Sequence, residues 1–197
     1  MQLVEEKKKE KHIAPEGPAQ SAICISVTEL GSQMDYKYDN ERRICVFNVG
    51  FELPDSRFEF DGSMVPLTVY RKMWINMDPY SMGKSVKRYI GNWVTDYDRL
   101  AKEGKTLQQV LLGRPALVTV AHKEGPQGVS ARVEDISACP AKLATTLPDP
   151  HNEPWSYDPA DPDTNWDRLP PWQQEEVRNS IEFKEGGQAD ETDDANM

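Results

Sequence analysis

Five short runs along this chain read as strands, most by alternation of hydrophobic and polar residues and the second by its apolar character, and one stretch between the third and fourth runs repeats at helical spacing instead. In AQSAICISVTELG (residues 19–31), Ile23, Ile25 and Val27 oppose Ala22, Cys24 and Ser26, the period of two expected of a strand. A polar, turn-rich segment follows and ends at Arg42 and Arg43. ICVFNVGFEL (44–53) predicts a second strand, apolar on both faces, with Gly50 marking a bend or bulge. PDSRFEFDGS reads as a connection with a turn at Asp61-Gly62. VYRKMWINM (69–77) predicts a third strand with Val69, Arg71, Met73, Ile75 and Met77 on one face and Tyr70, Lys72, Trp74 and Asn76 on the other. Val86, Tyr89, Ile90, Trp93, Tyr97 and Leu100 then form the apolar stripe of an amphipathic helix, or of two short ones split near Gly91. TLQQVLLG predicts a short helix closed by Gly113. RPALVTVAHKE and VSARVEDISA predict the fourth and fifth strands, joined by the tight turn GPQG.

Five strands with a helix between the third and fourth match the order of an OB-fold, a small, partly open β-barrel. The expectation is therefore a mainly β chain. Residues 1–14 form a flexible charged arm, and 15–140 the OB-fold domain. Residues 141–184 form a Pro- and Asp-rich extension with a short helix at PPWQQEEVRNSIEF, which has Pro171 in its first turn. Residues 185–197 form an acidic tail too polar to order itself.

Composition narrows the chemistry. No apolar run approaches the ~20 residues needed to cross a bilayer, and no apolar segment follows the charged N-terminus, so neither a membrane span nor a secretory signal is expected. Cys24, Cys45 and Cys139 are an odd, scattered set, which argues against a disulfide framework or a zinc site and favours a reducing cytoplasm. The net charge of -10 is localised: residues 148–197 hold 14 acidic and three basic residues, whereas Arg71–Lys105 holds eight basic and four acidic. A neutral body with a basic stretch and an acidic tail retains the electrostatics for an anionic partner.

In an OB-fold, the second and third strands and the first-second and fourth-fifth connections form the ligand face. Several aromatic and basic residues map there: Tyr70, Lys72 and Trp74; Phe47 and Phe51; Tyr36, Lys37, Tyr38, Arg42 and Arg43; and Lys123, Arg132 and His122 near the fourth-fifth turn. Aromatic rings stack on bases and cations track phosphates, with no base-edge code required. The competing reading is that Tyr and Trp pack on half-buried strands, with Trp74 lying under the C-terminal helix. Trp93 is assigned to the core, and Lys84, Lys87 and Arg88 to a solvated helix face. An enzyme is not expected. His12, His122 and His151 have no ligand partners at metal spacing, DPADPDTNWD lacks the Gly and closing Glu of a calcium loop, and neither a phosphate-binding Gly loop nor a Gly-x-Ser-x-Gly elbow occurs. No cofactor or metal is implied.

The stretches VGFELPDSRFEFDGSMVPLTVYRKMWINMDPYSMGKSVKRYIGNW and LLGRPALVTVAHKEGPQGVSARVEDISACP resemble a family of small bacteriophage proteins, the OB-fold single-stranded DNA-binding or replication-accessory proteins. The resemblance runs from about Pro15 to Pro140 and continues weakly through LPPWQQEEVRNSIEF. It implies sequence-independent binding of single-stranded DNA during phage replication or recombination in the cytoplasm of a bacterial host. It also implies replication or recombination enzymes as partners of the acidic tail, and it is compatible with a homo-oligomer. The Tyr-rich first connection and the long acidic tail depart from the family pattern. ADETDDANM lacks the apolar terminal pair through which such tails dock. The rival expectation is a protein-interaction module on the same barrel, with the exposed aromatics as its hot spot.

Overall fold

The computed structural model describes residues 12–36, 42–125, 128–161 and 165–190, the last five by backbone alone. Three long antiparallel strands open the fold: β1 (Gly17–Asp35), β2 (Arg42–Phe60) and β3 (Ser63–Asn76). The helical stripe divides into α1 (Met82–Ile90) and α2 (Tyr97–Lys102), separated by turns after Gly91, and α3 (Leu107–Leu111) follows. Thr106 and Gln109 cap α3 reciprocally: the Thr106 hydroxyl accepts from the Gln109 amide at 3.3 Å, and the Gln109 side chain accepts from the Thr106 amide at 3.1 Å. A hairpin of β4 (Pro115–Gly125) and β5 (Gly128–Ala138) comes next. Then come α4 (Ala141–Ala144), β6 (Trp155–Tyr157), a single 3-10 turn (Trp166–Arg168), α5 (Pro171–Arg178) and α6 (Ile181–Asp190). No described helix is long and apolar enough to cross a membrane.

The sheet runs β3-β2-β1-β4-β5, antiparallel throughout, and β6 joins β1 in parallel. It is mainly β, as expected, and it is open, with β3 and β5 at its edges. Arg71 spans the gap between those edges, donating to the carbonyls of Val133 (2.8 Å) and Glu134. β1 divides its outer edge: residues Gly17–Ile23 pair with β4, and Ser26–Thr28 with β6. β2 continues through the segment expected to be a connection. After an irregularity beyond Leu53, pairing with β3 resumes at Arg57 and closes at Asp61 and Gly62, both with positive φ as a two-residue hairpin turn requires.

Two cores result, one on each face of the sheet. The larger gathers Val49, Phe51, Met73, Val118 and Val133 from the strands with Ile90, Trp93 and Leu111 from the helical region. Trp93 is buried there as expected, its indole N–H donating to the Pro115 carbonyl at 2.8 Å. The smaller joins Leu30 and Val46 of the sheet to Tyr157, Leu169 and Val177 of the C-terminal extension. This accounts for the apolar character of β2 on both faces.

The segments expected to be irregular are anchored. Ala14 is buried and its carbonyl accepts from the His122 ring at 2.8 Å, while His12 stacks on Phe58 at 4.5 Å, so this end of the arm is docked. In the extension, buried Glu52 accepts from the amides of His151 (2.8 Å) and Asn152 (2.9 Å) and from the Asn152 side chain (2.7 Å). A buried carboxylate persists only with such partners, so Glu52 ties the extension to β2. α6 continues to Asp190, and the remaining tail, 191–197, lies outside the described residues.

Candidate nucleic-acid interface

Cross-strand pairing fixes which side chains share a face. Tyr70 lies opposite Gly50, Lys72 opposite Asn48, and Trp74 opposite Val46. These six residues share one face of the sheet, the one that carries the smaller core, with Val46, Asn48 and Gly50 buried beneath it. Tyr70 is 37% exposed and Trp74 45%. Both are half-buried, so the expected stripe exists and is neither fully free nor fully core. The Lys72 ammonium sits 5.8 Å from the centre of the Trp74 ring, within cation–π range. Gly50 is what lets Tyr70 lie across β2: a Cβ there would come within 2.9 Å of the Tyr70 ring and would overlap the Ser26 hydroxyl.

Phe47 and Phe51 do not belong to this surface. Phe47 pairs with Met73 and Phe51 with Val69, on the other side of the pleat, and Phe47 is only 9% exposed within the larger core. Phe47 is therefore corrected from ligand platform to core residue: one residue along a strand is one change of face.

The remaining expected residues are dispersed. Tyr36 is 68% exposed at the end of β1, and Lys37 and Tyr38 lie outside the described residues. Arg42 holds Asp35 through two nitrogens, at 2.8 and 2.5 Å. Lys123 and Arg132 are exposed on the β4-β5 hairpin, opposite Ser130 and Ala121, on different strands from the stripe. His122 pins the N-terminal segment, its amide donating to Glu16 at 3.1 Å and its ring to Ala14.

The C-terminal extension enters the site in a way the sequence pattern does not reveal. Glu176 of α5 pairs with Lys72, and Glu182 of α6 pairs with Arg43 at 2.6 Å. Glu182 also accepts from the Ser32 amide at 2.8 Å. Burial pushes the Glu182 carboxyl up, but the bonds from Ser32 and Arg43 outweigh it and hold the group down at about 2. Gln173 is buried and accepts from the Thr28 hydroxyl at 3.1 Å. Trp172, 43% exposed, meets Tyr70 edge-to-face with centroids 6.4 Å apart and planes at 83°. The sequence signals for these contacts are the apolar positions Trp172, Val177 and Ile181 and the rival expectation that Trp74 lies under the C-terminal helix; α5 instead reaches Tyr70 and Lys72 and leaves Trp74 45% exposed.

The surface therefore offers ring faces and amphipathic cations. Among the described residues, no cluster of three His, Cys, Asp or Glu is placed to hold a metal ion. The chain matches no family model, no curated protein and no solved structure.

Proposed function

We propose that this chain is a non-catalytic, largely sequence-independent single-stranded DNA-binding protein of OB-fold type, acting in phage replication or recombination in the host cytoplasm. The observation that carries the reading is the Tyr70-Lys72-Trp74 row, half-exposed on one face of β3. The third strand of an OB-fold belongs to the ligand surface. The β3-β2-β1-β4-β5 order, with helices between β3 and β4 and Arg71 reaching from β3 to β5, supports a partly open barrel of that kind. The sequence resemblance described above points the same way. Bases would stack on Tyr70 and Trp74 at about 1–3 kcal/mol each, while Lys72, exchanging Glu176 for a phosphate, would supply the salt-dependent part.

The test is fluorescence anisotropy of labelled oligo-dT against a duplex of equal length, at about 50 and 200 mM salt, where phosphate contacts weaken steeply. Tighter binding of the single strand, weakened by salt, is the expected result. Equal or absent binding of both DNAs at low salt would end the reading.

A protein-interaction module is the second reading. It is favoured by the ion pairs that already occupy Lys72 and Arg43 and leave three half-exposed aromatics, Tyr70, Trp74 and Trp172, as the uncharged, accessible groups of the row. An apolar protein interface would show little salt dependence.

A further inference from the structure

We infer that Trp172, which belongs to the C-terminal extension and not to the sheet, is a stacking residue of the same site, so that α5 completes the single-strand surface as well as partly covering it. The inference rests on the single-strand reading above and adds a residue and an element to it.

Its first support is a match of spacings. Trp172 touches Tyr70, and Glu176, four residues later on α5, touches Lys72, two residues later on β3. Four residues of helix rise about 6 Å and two residues of strand about 6.6 Å. Helix and strand therefore run in the same direction, and α5, which packs on β1, reaches the Tyr70-Lys72-Trp74 row through Trp172 and Glu176.

The second support is that docking does not require the exposed indole. Gln173, Val177 and Ser180 are the buried side chains on and just after α5, and Gln173 is hydrogen-bonded to Thr28. Trp172 leaves 43% of its surface in water. Its neighbour Pro171 starts the helix, so Trp172 stands at the end of α5 where it borders the sheet.

The third support is the shape the two rings make. Tyr70 lies over Gly50, and Trp172 stands at 83° to it. The pair forms a corner, with Tyr70 as floor and Trp172 as wall. A base lying on Tyr70 abuts the Trp172 ring, and the next base stacks on the outer face of that ring. The row then reads ring, ring, cation, ring: Trp172, Tyr70, Lys72, Trp74. This is the mix of platforms and cations that a flexible polyanion with flat bases uses.

The experiment compares the full-length wild type with Trp172→Leu, Trp172→Phe, Tyr70→Leu and, as an exposed aromatic outside the row, Tyr80→Leu. All bind labelled oligo-dT at about 50 mM salt, with melting temperatures measured in parallel. Leucine keeps apolar bulk for packing and removes the ring. Trp172→Leu and Tyr70→Leu are expected to weaken binding about five-fold or more each, the lower end for loss of one stacked base. Trp172→Phe should stay close to wild type, and Tyr80→Leu unchanged. Wild-type affinity in a folded Trp172→Leu, with Tyr70→Leu weakened, overturns the role of Trp172 and leaves the single-strand reading standing. Absence of binding by the wild type overturns that reading itself. Photo-crosslinking of wild type to 5-bromodeoxyuridine oligonucleotides gives a readout that needs no variant: adducts mapping to Trp172 support the inference, and adducts confined to other elements overturn it.

Discussion

Gly50 is where a single missing side chain shapes the surface. With Tyr70 on one side and the Ser26 hydroxyl on the other, a methyl group there forces a shift in one neighbour or both. Gly50→Ala is expected to destabilise the protein by about 1–3 kcal/mol, the usual cost of overpacking; urea denaturation measures it, and an unchanged midpoint would show that the Tyr70 ring gives way freely. Glu29 is the second residue with a testable consequence. Burial raises its carboxyl above the ordinary range, the Cys45 thiol donating at 3.2 Å pulls it partly back, and Asp158 and Glu182 push it up again. A carboxyl raised by folding favours the folded state while protonated. That contribution is complete below the ordinary value of 4.5 and is lost as pH rises through the raised one. Glu29→Gln should therefore gain melting temperature relative to wild type as pH goes from about 4 to about 8, and a gap that stays constant with pH would show that its charge is already compensated. At this scale the sequence misleads at Phe47. Parity assigns a strand residue to a face only when one face is polar, and β2 is apolar on both because each side meets a different core.

At the scale of elements, the opposition between α5-α6 and the face of the sheet they cover decides how available the site is. The pairs Lys72–Glu176 and Arg43–Glu182 put carboxylates where phosphates would sit. Glu176→Gln should strengthen oligo-dT binding a few-fold at low salt and lose that advantage at high salt, because partly exposed charge pairs are screened; an anisotropy titration in which the variant binds no better than wild type would mean that Lys72 does not meet the DNA. Glu182 adds a pH dependence of the opposite sign to that of Glu29. Its folded-state value of about 2 lies below the ordinary 4.5, so its contribution is complete above 4.5 and disappears as pH falls toward 2. Half-exposed partners keep that contribution small. Acid should loosen α6 from Ser32 before the body unfolds, and amide exchange at Ser32 followed from neutral pH downward would register it. Most elements were legible because their signals are local. Alternation and apolar runs gave β1, the first half of β2, β3, β4 and β5, the 86–100 stripe gave α1 and α2, and Pro171 gave the start of α5, whereas the second half of β2 read as a connection and β6 as part of an irregular segment. Their docking was legible only in outline, as a helix laid over the third strand; nothing in residues 148–190 states that Glu52 will hold His151 and Asn152 or that Trp172 will stand against Tyr70.

Taken as one body, the molecule is a sheet covered on both faces, with its negative charge gathered in the segment that covers one of them. Whether that segment belongs to the fold or is an appendage has a definite physical answer. Leu30 and Val46 are fully buried in a cluster with Tyr157, Leu169 and Val177, and β6 satisfies the free edge of β1 at Ser26–Thr28. A chain ending at residue 147 would present two apolar side chains, the Tyr70 ring and an unpaired strand edge to water together, the combination that drives self-association. Such a chain should melt at a lower temperature, bind a hydrophobic dye and elute as oligomers in size-exclusion chromatography, whereas a chain ending at residue 190 should behave as the full-length protein does. A shorter chain that stays monomeric with an unchanged melting temperature would show that the five-strand sheet and the helices α1–α3 suffice, and that the extension serves the binding face alone. The expected loss would mean instead that the extension is part of the fold, and that a single strand bound as proposed meets the surface with α5 in place. The ligand would then be confined to the seam between β3 and α5, where Tyr70, Trp74 and Trp172 already reach solvent.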